Sequence, residues 1–327
     1  MKFLKYLMIA SVAAGAVSLF SCGRAQTGDY HKGAAYVACD ASFRNVMEQE
    51  VQVFEHNYPG SNVMDIYVDE DAAIDSLLDM DNHIRLAVTS RPLDKKEISY
   101  LNSNNRSVHQ QAIAVDAVAL IVNPENPIEY IDNNDLVDIL TGKFTTWDSI
   151  VPGGKALGKI LVAFDHQGSS TARYMRDSLM NGAPFGPNVY AQKTPREVFD
   201  IVAKTKNAIG IIGASWLTDD MSGGELSAEE IARLSDVDAT AEMTSFVTDV
   251  KVLPVQGIDE LQTYLPTQYN IFTGKYPYYR QIYLISTSIP SSVGHSFFTF
   301  VTSAVGQKVI LSTGVCPKVI TPQFVEL

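Results

Sequence analysis

The chain has 327 residues, of which 46% are hydrophobic and 19% charged, a composition typical of a globular protein in water. Its length favours two lobes over a single core. The formal charge of −12 argues against a nucleic acid or an anionic membrane surface as partner. A local anion site remains compatible with that charge, because the immediate surroundings set the affinity once water is excluded.

The first residues carry the pattern of an exported lipoprotein. Lys2 and Lys5 precede an apolar run over residues 6–20, too short for a comfortable membrane span, which predicts a signal peptide over 1–21. The letters "LFSC" then resemble the bacterial lipobox, in which Cys22 would carry the lipid; an ordinary cleavage site with an incidental cysteine is the alternative. Residues 22–33 are typical of a flexible tether. We therefore expect a periplasmic protein of the cell envelope, anchored to a membrane through lipid.

Strand and helix patterns alternate along the first half of the mature chain. Apolar runs predict strands at 34–40, 62–68, 84–90 and 112–124. Periodic apolar residues predict helices at 42–58, 71–80 and 133–142. Ser42 is the expected N-cap of the first helix, Asn133 or Asn134 that of the third, and Gly142 its terminator.

The second half continues the alternation. A strand at 160–165 leads into a polar turn and a helix, and a helix at 194–207 precedes a buried strand and turn at 208–217. The acidic stretch 218–230 is expected as an exposed excursion, followed by strands at 250–255 and 278–287. Residues 292–314 predict one final helix or a pair. Strand–helix alternation of this kind predicts an α/β fold with mainly parallel sheets flanked by helices.

Two further cysteines, Cys39 and Cys316, lie far apart in the sequence. In an exported protein they could form a disulfide, or they could be two buried free thiols. The sequence contains no CxxC motif and no Cys/His cluster, so we expect neither a metal site nor a cofactor.

Three strand-to-helix turns share one design, an apolar strand followed by small hydroxyl residues and a helix start. They are "CDASF" at 39–43, "VTSRPL" at 88–93 and "QGSST" at 167–171. In open α/β sheets, ligands collect at the carboxyl ends of strands, where helix N-termini present unpaired N–H groups. Each turn alone is a plausible helix cap. Together they favour a shared ligand site.

Nearly the whole mature chain also resembles a known family, the phosphate-binding solute receptors of bacterial ABC importers. The matching segments, in order, are "AVDAVALIVNPENPI", "NDLVDILTGKFTTWDSI", "GSSTARYM", "NAIGIIGASWL", "YPYYRQIYLIST" and "GQKVILSTGVCP". The resemblance implies a two-lobed periplasmic-binding-protein-like fold of type II with a two-strand hinge. Lobe 1 would comprise residues 30–118 and 280–327, and lobe 2 residues 119–279. Cys39 and Cys316 would then share lobe 1, which favours the disulfide.

The resemblance also implies a set of ligand-binding residues. Ser42 with Phe43 matches the family's hydroxyl turn after the first strand, and Ser90 with Arg91 matches its third turn. The turn Gly168–Thr171 matches a Gly-Ser-Gly-Thr loop, in which Ser169 and Thr171 keep the hydroxyls and Ser170 replaces a glycine, a change that a negative φ allows.

Two departures from the family bear on the ligand. Asp165 stands where the family commonly has an arginine that pairs with phosphate, and we include it in the predicted site. The family's Ser/Gly-rich turn after the second strand is replaced by the acids at 69–71, for which an exposed acidic face is the alternative. Arg91 is the expected compensating cation. Arg173 could reach the cleft, but a solvent-facing position is expected, and protonated His166 could also help.

The sequence thus predicts a receptor rather than an enzyme. Its ligand would be phosphate or a similar oxyanion, passed to the permease of an ABC importer. The alternative is a lipoprotein of the same fold with a non-phosphate ligand or a role in sensing or interaction.

Overall fold

The computed structural model describes residues 31–166, 168–217, 226–236, 249–258 and 262–318. The predicted signal peptide, Cys22 and most of the tether lie outside the described residues, as does the acidic stretch 218–225. Within the described ranges, no helix has the length and apolar character that crossing a membrane requires.

The strands and helices follow the alternation that the sequence predicts. The strands are β1 (Gly33–Asp40), β2 (Ser61–Val68), β3 (Leu86–Thr89), β4 (His109–Val122), β5 (Leu161–Phe164), β6 (Val189–Ala191), β7 (Ala208–Gly213), β8 (Lys251–Val252), β9 (Val255–Gln256), β10 (Thr263–Tyr264), β11 (Tyr279–Ser286) and β12 (Cys316–Pro317). The helices are α1 (Arg44–Asn57), α2 (Glu70–Leu78), α3 (Lys95–Ser103), α4 (Asn133–Leu140), α5 (Ser170–Tyr174), α6 (Pro195–Lys204), α7 (Ala228–Ser235), α8 (Gln268–Phe272), α9 (Val293–Val301) and α10 (Ala304–Ser312).

The main sheet has the strand order β2-β1-β3-β11-β4-β7-β5-β6, with β8 and β12 also pairing with β4. β1 is parallel to β2 and β3, and β5 is parallel to β6 and β7, so each half of the sheet has a parallel core. The long strand β4 joins the halves: its residues up to Ala117 pair with β11, and those from Val118 onward pair with β7. Mixed α/β architecture with mainly parallel half-sheets agrees with the predicted fold class.

Two large apolar cores correspond to the two half-sheets. One packs α1, α9 and α10 against β1, with Phe54 and Phe297 in an edge-to-face contact at 5.2 Å between ring centroids. The other contains the apolar residues of β4, β5 and β7 together with the fully buried Trp147, whose Nε1 donates to the carbonyl oxygen of Asn207 over 3.0 Å. Close packing here needs Gly210, because a Cβ at that position would lie 2.7 Å from Val198 Cγ1.

Several local predictions require correction. Ser42 is not the N-cap of α1: it lies in a 3₁₀ turn, Ala41–Phe43, that the Asp40 side chain caps. The cap of α4 is Asp132, whose carboxylate accepts from the Asp135 N–H over 2.8 Å. Gly142 follows that helix with φ of +78°, in agreement with its predicted role as terminator. The final helical segment is a pair, α9 and α10.

Glu50 is a buried carboxyl in the middle of the core face of α1. It is fully buried, and neither of its oxygens has a hydrogen-bond partner in the described part of the chain. Burial raises the pKa of Glu50 well above its usual value. A carboxyl whose pKa is raised on folding stabilises the protein below its unfolded pKa of about 4.3, and that contribution is lost as the pH rises through the folded value.

Replacing Glu50 with leucine should therefore increase the free energy of unfolding near neutral pH by about 1–3 kcal/mol, because an unpartnered buried polar group is removed. The gain over the natural protein should grow as the pH rises above about 4.3, the unfolded pKa of a glutamate. Urea unfolding at a series of pH values measures it, with exposed Glu129→Gln as the control. A gain independent of pH would show that Glu50 does not titrate in this way.

Candidate functional site

The ends of four strands converge on one polar cleft. β1, β2 and β3 are parallel, so their carboxyl ends lie along one edge. β5 approaches from the other half of the sheet, and Asp165, directly after it, meets the turn that follows β1. There the Ser42 hydroxyl donates to Asp165 Oδ2 over 2.9 Å. The turns after β1 and β5, predicted separately, thus lie in contact.

Asp165 accepts hydrogen bonds inside this cleft. Besides Ser42, the Thr171 hydroxyl lies 3.5 Å from Asp165 Oδ2, and the His166 N–H donates to Oδ1 over 3.0 Å. The side chain is buried, with 1% of the residue exposed. The carboxylate thereby takes the hydroxyl donors that the sequence assigns to an external anion.

Asp40, at the end of β1, is a second buried acceptor, and the sequence prediction missed it. Its Oδ1 accepts from the Ser42 N–H over 3.0 Å, and its Oδ2 accepts from the Ser170 N–H over 3.3 Å. Ser170 begins α5, so this carboxylate caps a helix N-terminus from across the cleft. The sequence does carry a signal for this role, because Asp40 directly follows an apolar strand and precedes a turn of small residues.

The turn Gly168–Thr171 caps helix α5 and packs closely against Asp69, in the segment after β2. The Ser169 hydroxyl accepts from the Ala172 N–H over 3.0 Å, so Ser169 is the N-cap of α5. A Cβ at Gly168 would lie 2.6 Å from Asp69 Cγ, which explains why glycine stands there. Ser170 and Thr171 are buried as well. The turn therefore contacts the acidic segment after β2.

That acidic segment divides into a buried and an exposed part. Glu70 is fully buried, and its Oε1 accepts from the Ser90 N–H over 2.7 Å and from the Arg91 N–H over 3.2 Å. The Ser90 hydroxyl also donates to Glu70. The Asp69 and Asp71 side chains are 59% and 81% exposed. An exposed acidic face thus fits Asp69 and Asp71 but is wrong for Glu70, which occupies the donors of the third turn.

His166 lies between two acids. Its Nδ1 is 2.9 Å from Asp69 Oδ1, and its Nε2 is 3.8 Å from Asp40 Oδ1. The imidazole therefore stands between two carboxylates.

Arg91 is held by a bidentate pair with Glu97 of α3. The two hydrogen bonds measure 2.9 Å and 2.8 Å. They raise the pKa of Arg91 and lower that of Glu97. Glu97 also donates its helix N–H to Asp94, in a capping box that fixes the start of α3.

Arg173 faces the cleft, and the expectation of a solvent-facing position is wrong. Its side chain is only 25% exposed and contacts Glu70, while its guanidinium donates to Asp71 Oδ1 over 3.0 Å. Burial lowers its pKa. The helix start at Ser169 turns this face of α5 toward the segment after β2.

Arg280 of β11 is a buried cation that the sequence prediction did not include. Its guanidinium donates to Asp116 Oδ2 over 3.0 Å, hydrogen-bonds the Ser170 hydroxyl, and lies 4.5 Å above the ring of Phe43. Asp116 Oδ1 accepts from the Ala214 N–H over 3.0 Å. Burial raises the pKa of Asp116, and Arg280 opposes that shift. The ring of Phe43 thus packs against the guanidinium of Arg280.

A cavity of about 560 Å³ opens beside these groups. Residues from the third turn, α5 with the π-helical segment Met175–Leu179 that continues it, and β11 line it: Ser90, Arg91, Pro92, Ser170, Arg173, Tyr174, Asp177, Ser178, Tyr279, Arg280, Gln281 and Tyr283. Arg91, Arg173 and Arg280 therefore share one cavity although they come from three different elements. In the described ranges, no cluster of three or more His, Cys, Asp or Glu side chains is placed to bind a metal ion.

The expected disulfide between Cys39 and Cys316 is wrong. Both are separate buried thiols. Cys39 lies in β1 and Cys316 in β12, and β3, β11 and β4 stand between them. Four strand spacings of about 4.8 Å separate them, whereas a disulfide needs Cα atoms within about 7 Å. Burial raises the pKa of Cys316 to about 11.

Two α/β halves joined by a shared long strand, with a polar cleft at the ends of their parallel strands, define the two-lobed class of ligand-binding receptors. A family model described as the PBP superfamily domain matches residues 25–305. The chain belongs to this superfamily.

Sequence relatives are named as phosphate-binding proteins. The phosphate-binding protein PstS of Bacillus subtilis is 31% identical over 108 residues, which are 33% of this chain and 35% of that protein. PstS of Pseudomonas aeruginosa is 23% identical over 218 residues, 63% of this chain and 58% of the relative. The chain thus spans about a third to three fifths of these relatives. Their names describe binding proteins, in agreement with the prediction of a receptor.

Solved structures share the fold. A substrate-binding protein from Clostridium perfringens, solved with bound phosphate, matches with a TM-score of 0.66 and 20% identity over 88% of this chain and 100% of its own. An ABC-type phosphate transport receptor from Vibrio cholerae matches with a TM-score of 0.60, 20% identity and the same two coverages. At this identity the matches establish the two-lobed fold.

Proposed function

We propose that this protein is an extracytoplasmic solute receptor that binds phosphate or a similar oxyanion in its cleft and delivers it to an ABC importer. The observation that carries the proposal is the meeting of three guanidinium groups, of Arg91, Arg173 and Arg280, in one cavity beside the Ser90 and Ser170 hydroxyls. Arginine suits oxyanions because its planar donors match them in pairs. The names of the relatives support the same ligand class.

The proposal includes the arrangement of the chain. Residues 30–118 with 280–327 would form lobe 1 and residues 119–279 lobe 2, a division supported by the exchange of partners along β4 after Ala117. Cys22 would carry the lipid, and residues 22–33 would form the tether. This interpretation is supported by the "LFSC" sequence. A receptor held in this way stays next to the permease that it serves.

Calorimetry of the purified protein tests the ligand class. Phosphate should release or absorb heat at millimolar concentration or below. Arg173→Gln should weaken binding at least tenfold, because truncating one partner of a buried charge pair loses about 2–5 kcal/mol. Arg196→Gln is the matched control, since Arg196 is exposed, pairs with Asp200 on α6 and does not line the cavity. No heat with phosphate, arsenate or sulfate would refute an oxyanion receptor.

A specific observation favours a second candidate, a receptor for an uncharged or cationic ligand or an interaction role. The N–H and hydroxyl donors of the turns are already bonded to Asp40, Glu70 and Asp165. These buried carboxylates oppose a second anion nearby. A ligand screen that yields an amine or a peptide, and no oxyanion, would establish this candidate in place of the first.

A further inference from the structure

The oxyanion donors of the cleft fall into two groups with different partners. The first group, the N–H and hydroxyl donors of the turns at Ser42, Ser90 and Ser170, is bonded to carboxylates that are almost fully buried. An anion entering there would have to displace a carboxylate that has no access to water. The turns therefore do not offer an open anion site.

The second group, the guanidinium donors, faces an open cavity. Arg91, Arg173 and Arg280 line it, whereas their carboxylate partners Glu97, Glu70, Asp71 and Asp116 do not. Among the described residues that line the cavity, Asp177 is the one acid, and its carboxylate is engaged by Arg176 at 2.7 Å. Each guanidinium has five N–H donors, more than its carboxylate partner uses. The cavity wall is thus cationic although the turns behind it are acidic.

The cavity is also larger than an inorganic oxyanion needs. Its volume of about 560 Å³ lies within the range of about 300–1,000 Å³ typical of sites for organic ligands. Tyr174, Tyr279 and Tyr283 are among the residues that line it, and Tyr279 is 42% exposed. Aromatic walls favour an apolar or ring-shaped substituent.

We infer that the cavity binds a monosubstituted phosphoryl anion, a phosphate ester or phosphonate, with its oxygens on Arg91, Arg173 and Arg280 and its organic group on the tyrosines. This rests on the proposed function and narrows its ligand class. The buried carboxylates keep the anion out of the turns and hold the guanidiniums in place from behind.

Calorimetry with three probes tests the inference: inorganic phosphate, phenyl phosphate and phenylphosphonate. Both phenyl compounds should bind at least tenfold more tightly than inorganic phosphate. If inorganic phosphate binds as tightly or more tightly, the inference fails while the proposed function stands. If no probe binds, the inference fails, and the titrations with arsenate and sulfate decide whether the proposed function fails with it.

A tyrosine variant locates the substituent. Tyr279→Ala should weaken phenyl phosphate binding about 3- to 10-fold more than it weakens phosphate binding, because a ring contact is worth about 0.5–1.5 kcal/mol. Tyr190→Ala, at a tyrosine that is 51% exposed on β6, is the matched control and should leave both affinities unchanged. Tyr279 contributes its backbone N–H, not its hydroxyl, to the observed hydrogen bond with Tyr174, so the variant should fold. Equal losses for the two ligands would overturn the assignment of this cavity.

Discussion

Asp116→Ala should lower the free energy of unfolding by about 3–5 kcal/mol, because it leaves a buried guanidinium without its carboxylate. Arg280 is 4% exposed, and Asp116 accepts from two of its nitrogens, at 3.0 Å and 3.3 Å. Arg280 cannot lose its proton to escape the penalty. Denaturant unfolding of the variant measures the loss.

The double variant Asp116→Leu with Arg280→Met separates charge from packing. Replacing both members of a buried ion pair with apolar residues is often close to neutral, so the double variant should recover most of the stability. Gly213 lies close to Asp116, since a Cβ added at Gly213 would lie 2.6 Å from Asp116 Oδ2, so the leucine must fit in limited space. A loss below about 1 kcal/mol for the single variant would contradict a buried charge pair.

Regular elements with strong apolar periodicity could be predicted from the sequence. β1 and α1 are examples: in α1 the apolar side chains Val46, Met47 and Phe54 recur on one face and are fully buried. The apolar pattern does not predict α3, since Leu101 is its one buried residue and gives no periodic signal. The pattern Asp94-x-x-Glu97 before it is a capping-box signature that could have indicated the helix start.

The sequence predicted which turns reach the candidate site, but not the hydrogen bonds that their side chains form there. The turns at Ser42 and at Ser169 carry a visible local signal, and both reach the cleft. The contacts of Ser42 with Asp165 and of Arg280 with Ser170 span 123 and 110 residues, and nothing local encodes them. Their ligand roles stay predictions.

The separation of the two cysteines also depends on long-range strand order, which nothing local in the sequence encodes. Shared membership of one lobe suggested that Cys39 and Cys316 meet, but β3, β11 and β4 lie between their strands. Pairing of distant strands depends on the packing of the whole sheet, which a single sequence does not show.

Asp165→Asn should increase the affinity for inorganic phosphate by about 10- to 100-fold. The amide has nearly the same shape and can still accept from the Ser42 hydroxyl, so the change removes charge with little effect on packing. For an anion bound about 6 Å from Asp165, the unit charge would contribute roughly 3 kcal/mol at an effective dielectric constant near 20. Part of that repulsion is relieved in the natural protein by neighbouring donors, which sets the lower end of the range.

Calorimetry with phosphate on both proteins measures the change, and Asp200→Asn is the matched control because Asp200 is exposed and pairs with Arg196 on α6. Thermal unfolding should confirm that the Asp165 variant remains folded. An unchanged affinity would place the anion far from Asp165. A reduced affinity would mean that the carboxylate accepts a hydrogen bond from a hydroxyl of the bound ligand, and it would make Asp165 a ligand-binding residue in place of a barrier to anions.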